Sequence, residues 1–245
     1  MTLNHIALVT GARGGIGRAL VSRLRARGLQ VAAVGRDLAT LADVQADAHI
    51  QADVTTPEGA TAALAACREQ LGAAPSWLAH AVGSTLIAPL HRTRADQARE
   101  ILRVNLESSL WMLQAWIASL EGGAGAAVLC SSVVARIGVA NHEAIAAAKG
   151  GVEALARGAA ATYAAQGLRI NVVAPGMTET PMTQGMLELP AMREGAGKQY
   201  PLGGVQTADE VAAVMDWLLS PESTRLTGQV LAVDGGFTTV RPLVK

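Results

Sequence analysis

The chain is poor in aromatic side chains, in cysteine and in net charge. Phe, Trp and Tyr supply 3% of its 245 residues, with one Phe and two Tyr among them. A chain of this length buries a sizeable core, which must here be aliphatic: Ala, Val and Leu with Gly between them. The two cysteines, Cys67 and Cys130, stand apart and form no C-x-x-C. That excludes a disulfide framework and a cysteine zinc site, leaves no metal expected, and points to a reducing, cytoplasmic setting. The 20 basic residues cancel the 20 acidic ones, so no net field exists to hold nucleic acid or an anionic membrane. The nearest approach to a basic cluster, Arg23, Arg25 and Arg27, spreads around a helix as a solvated surface. No apolar run reaches the roughly 18–20 residues that span a bilayer. Met1–Thr10 has neither a basic stretch nor a cleavage site, so no export is expected. The expected partner is a small molecule.

What is present is an alternation. Short apolar runs predict strands at Ile6–Thr10, Gln30–Gly35, Ala48–Gln51, Trp77–Val82, Ala126–Ser131, Arg169–Ala174 and Gln229–Val233. Each is apolar on both faces, as in a strand buried between two helical layers. Helices are predicted between them at Ile16–Arg27, Leu38–Ala46, Pro57–Leu71, Arg94–Leu120, His142–Ala165 and Thr207–Leu219. Pro57 after two threonines, and the capping-box pattern of Thr207 and Glu210, mark two of the starts. Such alternation builds a doubly wound parallel sheet of about seven strands with helices on both faces, and residues 1–245 read as a single α/β domain. Only 177–200, rich in Met, Gly, Glu and Thr, lacks a clear period. A segment that long is expected to be a substrate lid, or else disordered.

The first predicted strand ends in Thr10-Gly11-Ala12-Arg13-Gly14-Gly15-Ile16-Gly17 and enters a helix. Glycines there let the backbone turn tightly and approach a pyrophosphate at the helix N-terminus. The spacing is G-x-x-x-G-x-G rather than G-x-G-x-x-G, so alone it also suits a purely structural turn. Further signals follow in order: Asp53-Val54, His80-Ala81-Val82-Gly83, Asn105, Ser131-Ser132 and Lys149-Gly150-Gly151-Val152. Then come Asn171-Val172-Val173-Ala174-Pro175-Gly176 with Thr180 four residues on, Thr227-Gly228-Gln229-Val230 and Val233-Asp234-Gly235-Gly236. In this order, and across residues 4–236, the motifs resemble those of the short-chain dehydrogenase/reductase family.

The resemblance implies a Rossmann-like fold, a nicotinamide dinucleotide, and hydride exchange between an alcohol and a carbonyl. By motif it implies that Gly11, Gly15, Ile16 and Gly17 face the pyrophosphate and that Asp53 and Val54 border the adenine. It further implies that Gly83 lets the chain pass the cofactor, and that Pro175, Gly176 and Thr180 border the nicotinamide end. His80-Ala81-Val82 departs from the family's Asn-Asn-Ala, and His80 reads as a polar strand-end residue rather than a catalytic one.

Discrimination between the two nicotinamide cofactors lies at the end of the second strand, Val34-Gly35-Arg36-Asp37. An acid there accepts from a ribose diol and repels a 2′-phosphate, whereas an Arg does the reverse. Family members preferring NAD usually place the acid at the position held here by Gly35. With Arg36 next to it and Arg13 in the glycine turn, two guanidinium groups are available to a phosphate, which favours NADP(H) over NAD(H). The alternative is a solvated Arg36, with Asp37 capping a helix at Leu38 or binding the diol.

Family catalysis uses a Tyr acid/base, a Lys four residues later on the same helix face, a Ser that holds the substrate oxygen and an Asn that supports a proton relay. Lys149, Ser132 and Asn105 match the last three, but the residue four before Lys149 is Ile145. No shift repairs this, because the residues four after the two tyrosines are Gly167 and Gly204. The chain is thus an atypical member by resemblance, lacking the Tyr. Three readings follow: an oxidoreductase acting on a carbonyl or hydroxyl group with a non-standard acid/base; a silent relative that binds NADP(H) as a sensor or partner subunit; or a non-redox lyase or isomerase. For the first, His142 is the candidate stand-in. It lies seven residues before Lys149, about 20° from a whole number of turns at helical pitch. An imidazole ordinarily titrates near neutrality, which suits proton transfer. The alternative is that His142 and Asn141 simply open the helix.

Met182, Met186, Leu187, Leu189 and Met192 within 177–200 suit a small, partly apolar substrate. Family tetramers pair the helices that correspond to Arg94–Leu120 and His142–Ala165, so a homotetramer or homodimer is expected. The small residues Ala147, Gly151, Ala154, Gly158, Ala161 and Ala165 form a stripe that either permits close approach of a second copy or faces the chain's own sheet.

Overall fold

The computed structural model describes residues 5–241. In chain order its strands are β1 (Ile6–Thr10), β2 (Gln30–Gly35), β3 (Ala48–Gln51), β4 (Trp77–His80), β5 (Gly125–Cys130), β6 (Leu168–Pro175), β7 (Thr178–Glu179), β8 (Gln206–Thr207) and β9 (Val230–Val233). Its helices are α1 (Gly15–Ala26), α2 (Pro57–Leu71), α3 (Ala95–Leu102), α4 (Ser108–Ser119), α5 (Glu143–Tyr163), α6 (Gln184–Leu187), α7 (Pro190–Gly197) and α8 (Ala208–Leu219). Seven strands form a parallel sheet in the order β3-β2-β1-β4-β5-β6-β9. Period-2 alternation divides the core. Ile6 and Leu8 face the layer of α2, α4 and α5, while Ala7 and Val9 face that of α1 and α8. This is the expected doubly wound sheet. Its strand order reverses between β1 and β4, which opens a crevice at the C-terminal strand ends, where such sheets bind ligands.

Three elements differ from the sequence reading. The predicted helix Leu38–Ala46 is a single 3₁₀ turn, Leu38–Leu41, capped by Asp37 Oδ1 on Ala39 N at 2.9 Å. Asp47, beyond it, is drawn instead to Val31 N at 2.8 Å. The predicted strand Trp77–Val82 stops at His80, because the chain peels away over Gly11. The predicted helix Arg94–Leu120 is interrupted by a π turn at Arg103–Glu107. There Asn105 Nδ2 donates to Ile101 O at 3.0 Å, and the hydroxyls of Ser108 and Ser109 donate to Val104 O and Asn105 O. Segment 177–200 is not irregular throughout: it opens with β7, which pairs with β8, and carries α6 and α7. The capping box at Thr207 and Glu210 and the Thr56–Pro57 start both form as expected.

The C-terminus of α8 and the turn after it are satisfied from the sheet. Arg169 on β6 donates to the carbonyls of Leu218, Leu219, Ser220 and Ser223 at 2.7–3.1 Å, and to Ser223 Oγ at 2.8 Å. Ser223 Oγ and the N–H groups of Ser223 and Leu226 reach three of these carbonyls as well, and Arg169 brings the one charged donor among these contacts. Arg169→Met is expected to lower unfolding stability by about 2–4 kcal/mol, read by denaturant titration, since several buried acceptors lose a charged donor together.

Candidate functional site

The glycine turn is built by close approach. Gly11 has φ +69°, and a Cβ there would stand 2.7 Å from Ala81 O. A Cβ on Gly17 would collide with the Gly11 carbonyl, and one on Gly15 would come within 2.8 Å of Thr180 Cγ2. Gly14 is the N-cap of α1, and no side chain caps that end. The first-turn N–H groups at Gly15, Ile16 and Gly17 therefore face the crevice with the positive end of the helix dipole behind them, a fit for a pyrophosphate. Thr180 stands over the turn, held by Thr183, whose Oγ1 accepts from Thr180 N at 3.1 Å.

Beyond the turn, Gly83, Asn105 and Lys149 come together. A Cβ on Gly83 would lie 3.1 Å from Asn105 Oδ1 and 3.4 Å from Lys149 Nζ. Asn105, in the π turn and fully buried, accepts from Ser84 N at 3.2 Å and donates to Ser84 Oγ at 3.1 Å. Lys149 Nζ donates to Cys130 O at 2.7 Å. Burial pushes this ammonium below the ordinary lysine value, with the neighbouring Cys130 side chain opposing. Ser132 follows at the end of β5 and opens the 3₁₀ turn Val133–Ala135, its Oγ accepting from Val134 N at 3.4 Å. Its hydroxyl proton remains available to a ligand.

Ile145 is buried with Ile101 and Ala148, against Leu86, Leu106, Val134 and Ala144. An apolar wall thus stands where the family's phenol would be. His142 is not on the helix: it is the N-cap of α5, with φ −115° and ψ 18°, so the helical spacing to Lys149 is only approximate. Its side chain makes no capping bond. Nδ1 instead bonds Ala140 O at 2.7 Å, which makes Nδ1 the protonated nitrogen and leaves Nε2 available. The described contacts do not join it to Lys149 or Ser132.

At the far end, Arg13 and Arg36 are exposed and form no ion pair among the described residues. Asp53 Oδ1 accepts from Thr55 N at 3.1 Å and Thr55 Oγ1 at 2.7 Å. Burial raises its pKa, but these bonds and the fields of Arg103 and Arg36 outweigh that and hold it below the ordinary carboxylate value. Val54 is buried beside it. Pro175 ends β6, and Gly176 lies under the Tyr200 ring, which a Cβ would meet at 2.7 Å; Tyr200 OH accepts from Met177 N at 2.6 Å. Ile87, Leu90, Ile137, Met182, Leu189 and Met192 are exposed apolar side chains on the loops after β4 and β5 and on 177–200. Among the described residues, no group of three or more His, Cys, Asp or Glu side chains could hold a metal ion, and no helix is long and apolar enough to cross a membrane.

Two sets of side-chain contacts were not legible in the sequence, although His80 is the polar strand-end residue expected. His80 is fully buried, with Nδ1 2.7 Å from Thr10 Oγ1 and Nε2 2.9 Å from Ser108 Oγ. Ser108 gives its own proton to Val104 O, so Nε2 donates to Ser108 and Nδ1 accepts from Thr10. The imidazole thereby ties the glycine turn to the helix that carries Asn105. The second set belongs to a buried carboxylate, Glu153, bonded to Ser131 and Arg136. Its only sequence signal is its place one turn after Lys149, which a solvated surface position would share.

A family model described as enoyl-(acyl carrier protein) reductase matches residues 11–238. The cis-4-hydroxycyclohexanecarboxylate dehydrogenase of Sinomonas cyclohexanicum is 35% identical, over 96% of this chain and 97% of the relative. The 2-(R)-hydroxypropyl-CoM dehydrogenase of Xanthobacter autotrophicus is 33% identical, over 97% of this chain and all of the relative (100%). Among solved structures, the ligand-free aldohexose dehydrogenase of Thermoplasma acidophilum superposes with a TM-score of 0.91 at 27% identity, covering 99% of this chain and 97% of that one. A Burkholderia thailandensis oxidoreductase described as of the short chain dehydrogenase/reductase family gives 0.87 at 33% identity, covering 96% and 93%.

The His80 bridge has a measurable signature. Burial first, and the charge of Lys149 second, lower its pKa to about 3, whereas an unfolded histidine titrates near 6.5. The neutral ring therefore contributes stability above pH ~6.5 that is lost as pH falls toward 3, at about 1.4 kcal/mol per pH unit once the unfolded form is protonated. His80→Asn is expected to flatten the acid limb of the stability–pH curve by one proton; an unchanged slope would place the shift elsewhere.

Proposed function

The chain belongs to the short-chain dehydrogenase/reductase family and is an oxidoreductase of hydroxyl and carbonyl groups, and from that premise we propose that it uses NADP(H), on a small, partly apolar substrate, without a tyrosine acid. One observation carries this reading: Asn105 Oδ1 and Lys149 Nζ converge on Gly83 beside the uncapped N-terminus of α1. Gly11, Gly15, Ile16 and Gly17 would hold the pyrophosphate, Asp53 and Val54 the adenine side, and Gly83, Lys149, Pro175, Gly176 and Thr180 the nicotinamide end. The nicotinamide, when bound, donates or accepts the hydride. Ser132 Oγ–H donates to the substrate oxygen and polarises it. His142 exchanges the proton through Nε2, its tautomer set by Nδ1–H on Ala140 O. Asn105 shapes the loop through Ser84 and supports the relay of protons to solvent.

The cofactor preference is supported by Asp37. Its carboxylate is engaged in capping the 3₁₀ turn, which leaves Arg36 and Arg13 to meet a 2′-phosphate. The exposed apolar side chains around the crevice support a partly apolar substrate, and residues 177–200 would act as its lid. The small-residue stripe of α5 supports self-association in the cytoplasm: Ala147, Ala154, Gly158, Ala161 and Ala165 are exposed, while Ala148, Val152, Ala156 and Ala160 face the sheet. Gly151, the remaining residue of the stripe, packs against Leu106 within the chain.

NADPH is expected to bind about tenfold more tightly than NADH, roughly 1.4 kcal/mol, and the reverse order in a fluorescence titration would overturn the preference. His142→Ala is expected to lower NADPH-dependent carbonyl reduction by about 10²–10⁴. Full turnover in that variant, with loss in Ser132→Ala, would place the proton source elsewhere. Sedimentation at micromolar concentration is expected to show a species heavier than the 25.1 kDa chain.

A further inference from the structure

A carboxylate in a protein interior needs partners, because burying it alone costs far more than any single contact returns. Glu153 has a side chain only 6% exposed. It lies one turn after Lys149 on α5, so its backbone moves with that of Lys149. Oε1 accepts from Ser131 Oγ at 3.0 Å and Oε2 from Arg136 Nη1 at 3.1 Å, with Arg157 Nη1 at 3.8 Å. Ser131 directly precedes Ser132, and Arg136 closes the 3₁₀ turn that Ser132 opens. One carboxylate therefore holds the residue just before the turn and the residue that closes it. Ser131 is also fixed across the sheet, its N–H donating to Val173 O at 2.7 Å, and its hydroxyl lies 3.2 Å from Lys149 O. The turn's own hold on Ser132 is slight, a 3.4 Å contact from Val134 N.

We propose that Glu153 is a positioning residue, which clamps the Ser132 turn to the stretch of α5 that carries Lys149 and so sets the place of the Ser132 hydroxyl relative to the ammonium. The inference rests on the proposed role of Ser132 at the reacting oxygen. Its chemistry is purely geometric: no proton leaves Glu153, and the carboxylate never meets the substrate. Displacing a contacting hydroxyl by even an ångström weakens it steeply.

The informative variant is Glu153→Met, which keeps a similar volume without a carboxylate; Arg136 and Arg157 are 39% and 54% exposed, so water takes up their charges when the buried partner is removed. It is expected to fold and to bind NADPH and substrate within about twofold of the original chain, while kcat falls by about ten- to a hundredfold. Glu153→Gln is expected to recover part of kcat, since its amide oxygen still accepts from Ser131 while the Arg136 contact is lost. Amide exchange at residues 135–137, whose N–H groups donate to Ser132 O and Val133 O, is expected to accelerate in Glu153→Met and to be only partly restored in Glu153→Gln, whose amide N–H groups cannot accept from Arg136. Unchanged kcat, or unchanged exchange, in Glu153→Met overturns the clamp. If Glu153→Met does not fold, Arg136→Gln on the exposed side of the pair is read by the same exchange, and unchanged exchange again overturns it. If the original chain shows no hydride transfer with carbonyl compounds, the reading of Ser132 fails, while the exchange data still decide the clamp.

Discussion

The hydrogen bond from Lys149 Nζ to Cys130 O brings a charge into the interior, and much of the site follows from what that burial requires. An ammonium withdrawn from water needs acceptors close by, and the C-terminal end of β5 supplies a carbonyl at the point where the sheet stops pairing. To reach it, α5 must lie close to the layer beside it. Gly151 allows this, because a Cβ there would stand 2.8 Å from Leu106 Cδ2. The loop after β4 must then pass the ammonium without a side chain, which places a glycine at 83. Asn105 closes the arrangement by saturating Ser84 on the same loop. The glycine, the amide and the lysine belong to three separate stretches of sequence, and one desolvated charge fixes their spacing.

Against this background Ile145 puts an apolar side chain one turn before Lys149 without disturbing the scaffold. Its side chain extends the apolar packing of α5 onto α3, so the helix gains cohesion at the position where a phenol would have to remain accessible. No phenol stands on the helix face one turn before Lys149. Protic groups remain at two edges of the wall: Ser132 at the strand end, and His142 at the mouth of α5, where the ring is anchored by one nitrogen. Hydride chemistry asks little of the scaffold beyond orientation, whereas proton delivery depends on one atom in one place. A single residue can therefore remove a protic group from a site and leave the fold as readable as before.

The strands were legible in the sequence because each is short, apolar on both faces and bounded by Gly, Pro or Asp. The order of their motifs drew attention to Gly83, Asn105 and Lys149, which the fold brings together. What sequence missed has a common cause: it depends on a side chain reaching across the fold. His80 joins Thr10 to Ser108, and Glu153 joins Ser131 to Arg136, over separations that no local pattern encodes. The short 3₁₀ turn at Leu38–Leu41 was overread as a helix, since Asp47, an acceptor for a backbone N–H of β2, leaves no mark in the hydropathy. His142 stands at the boundary of the two cases: its neighbourhood to the site was visible, but its N-cap conformation was not.

The π turn at Arg103–Glu107 has a consequence for how one length of chain serves two partners. An extra residue in a helical turn advances everything after it by about 100° about the axis. The apolar stripe of α3 faces α5, while that of α4, one residue out of phase, faces α2 as well. The wide turn acts as a register converter between two packing surfaces, and Asn105 sits at the joint. Removing one residue here would restore a regular helical turn and point the asparagine toward a different neighbour, so the irregularity is held by the packing on both of its sides at once.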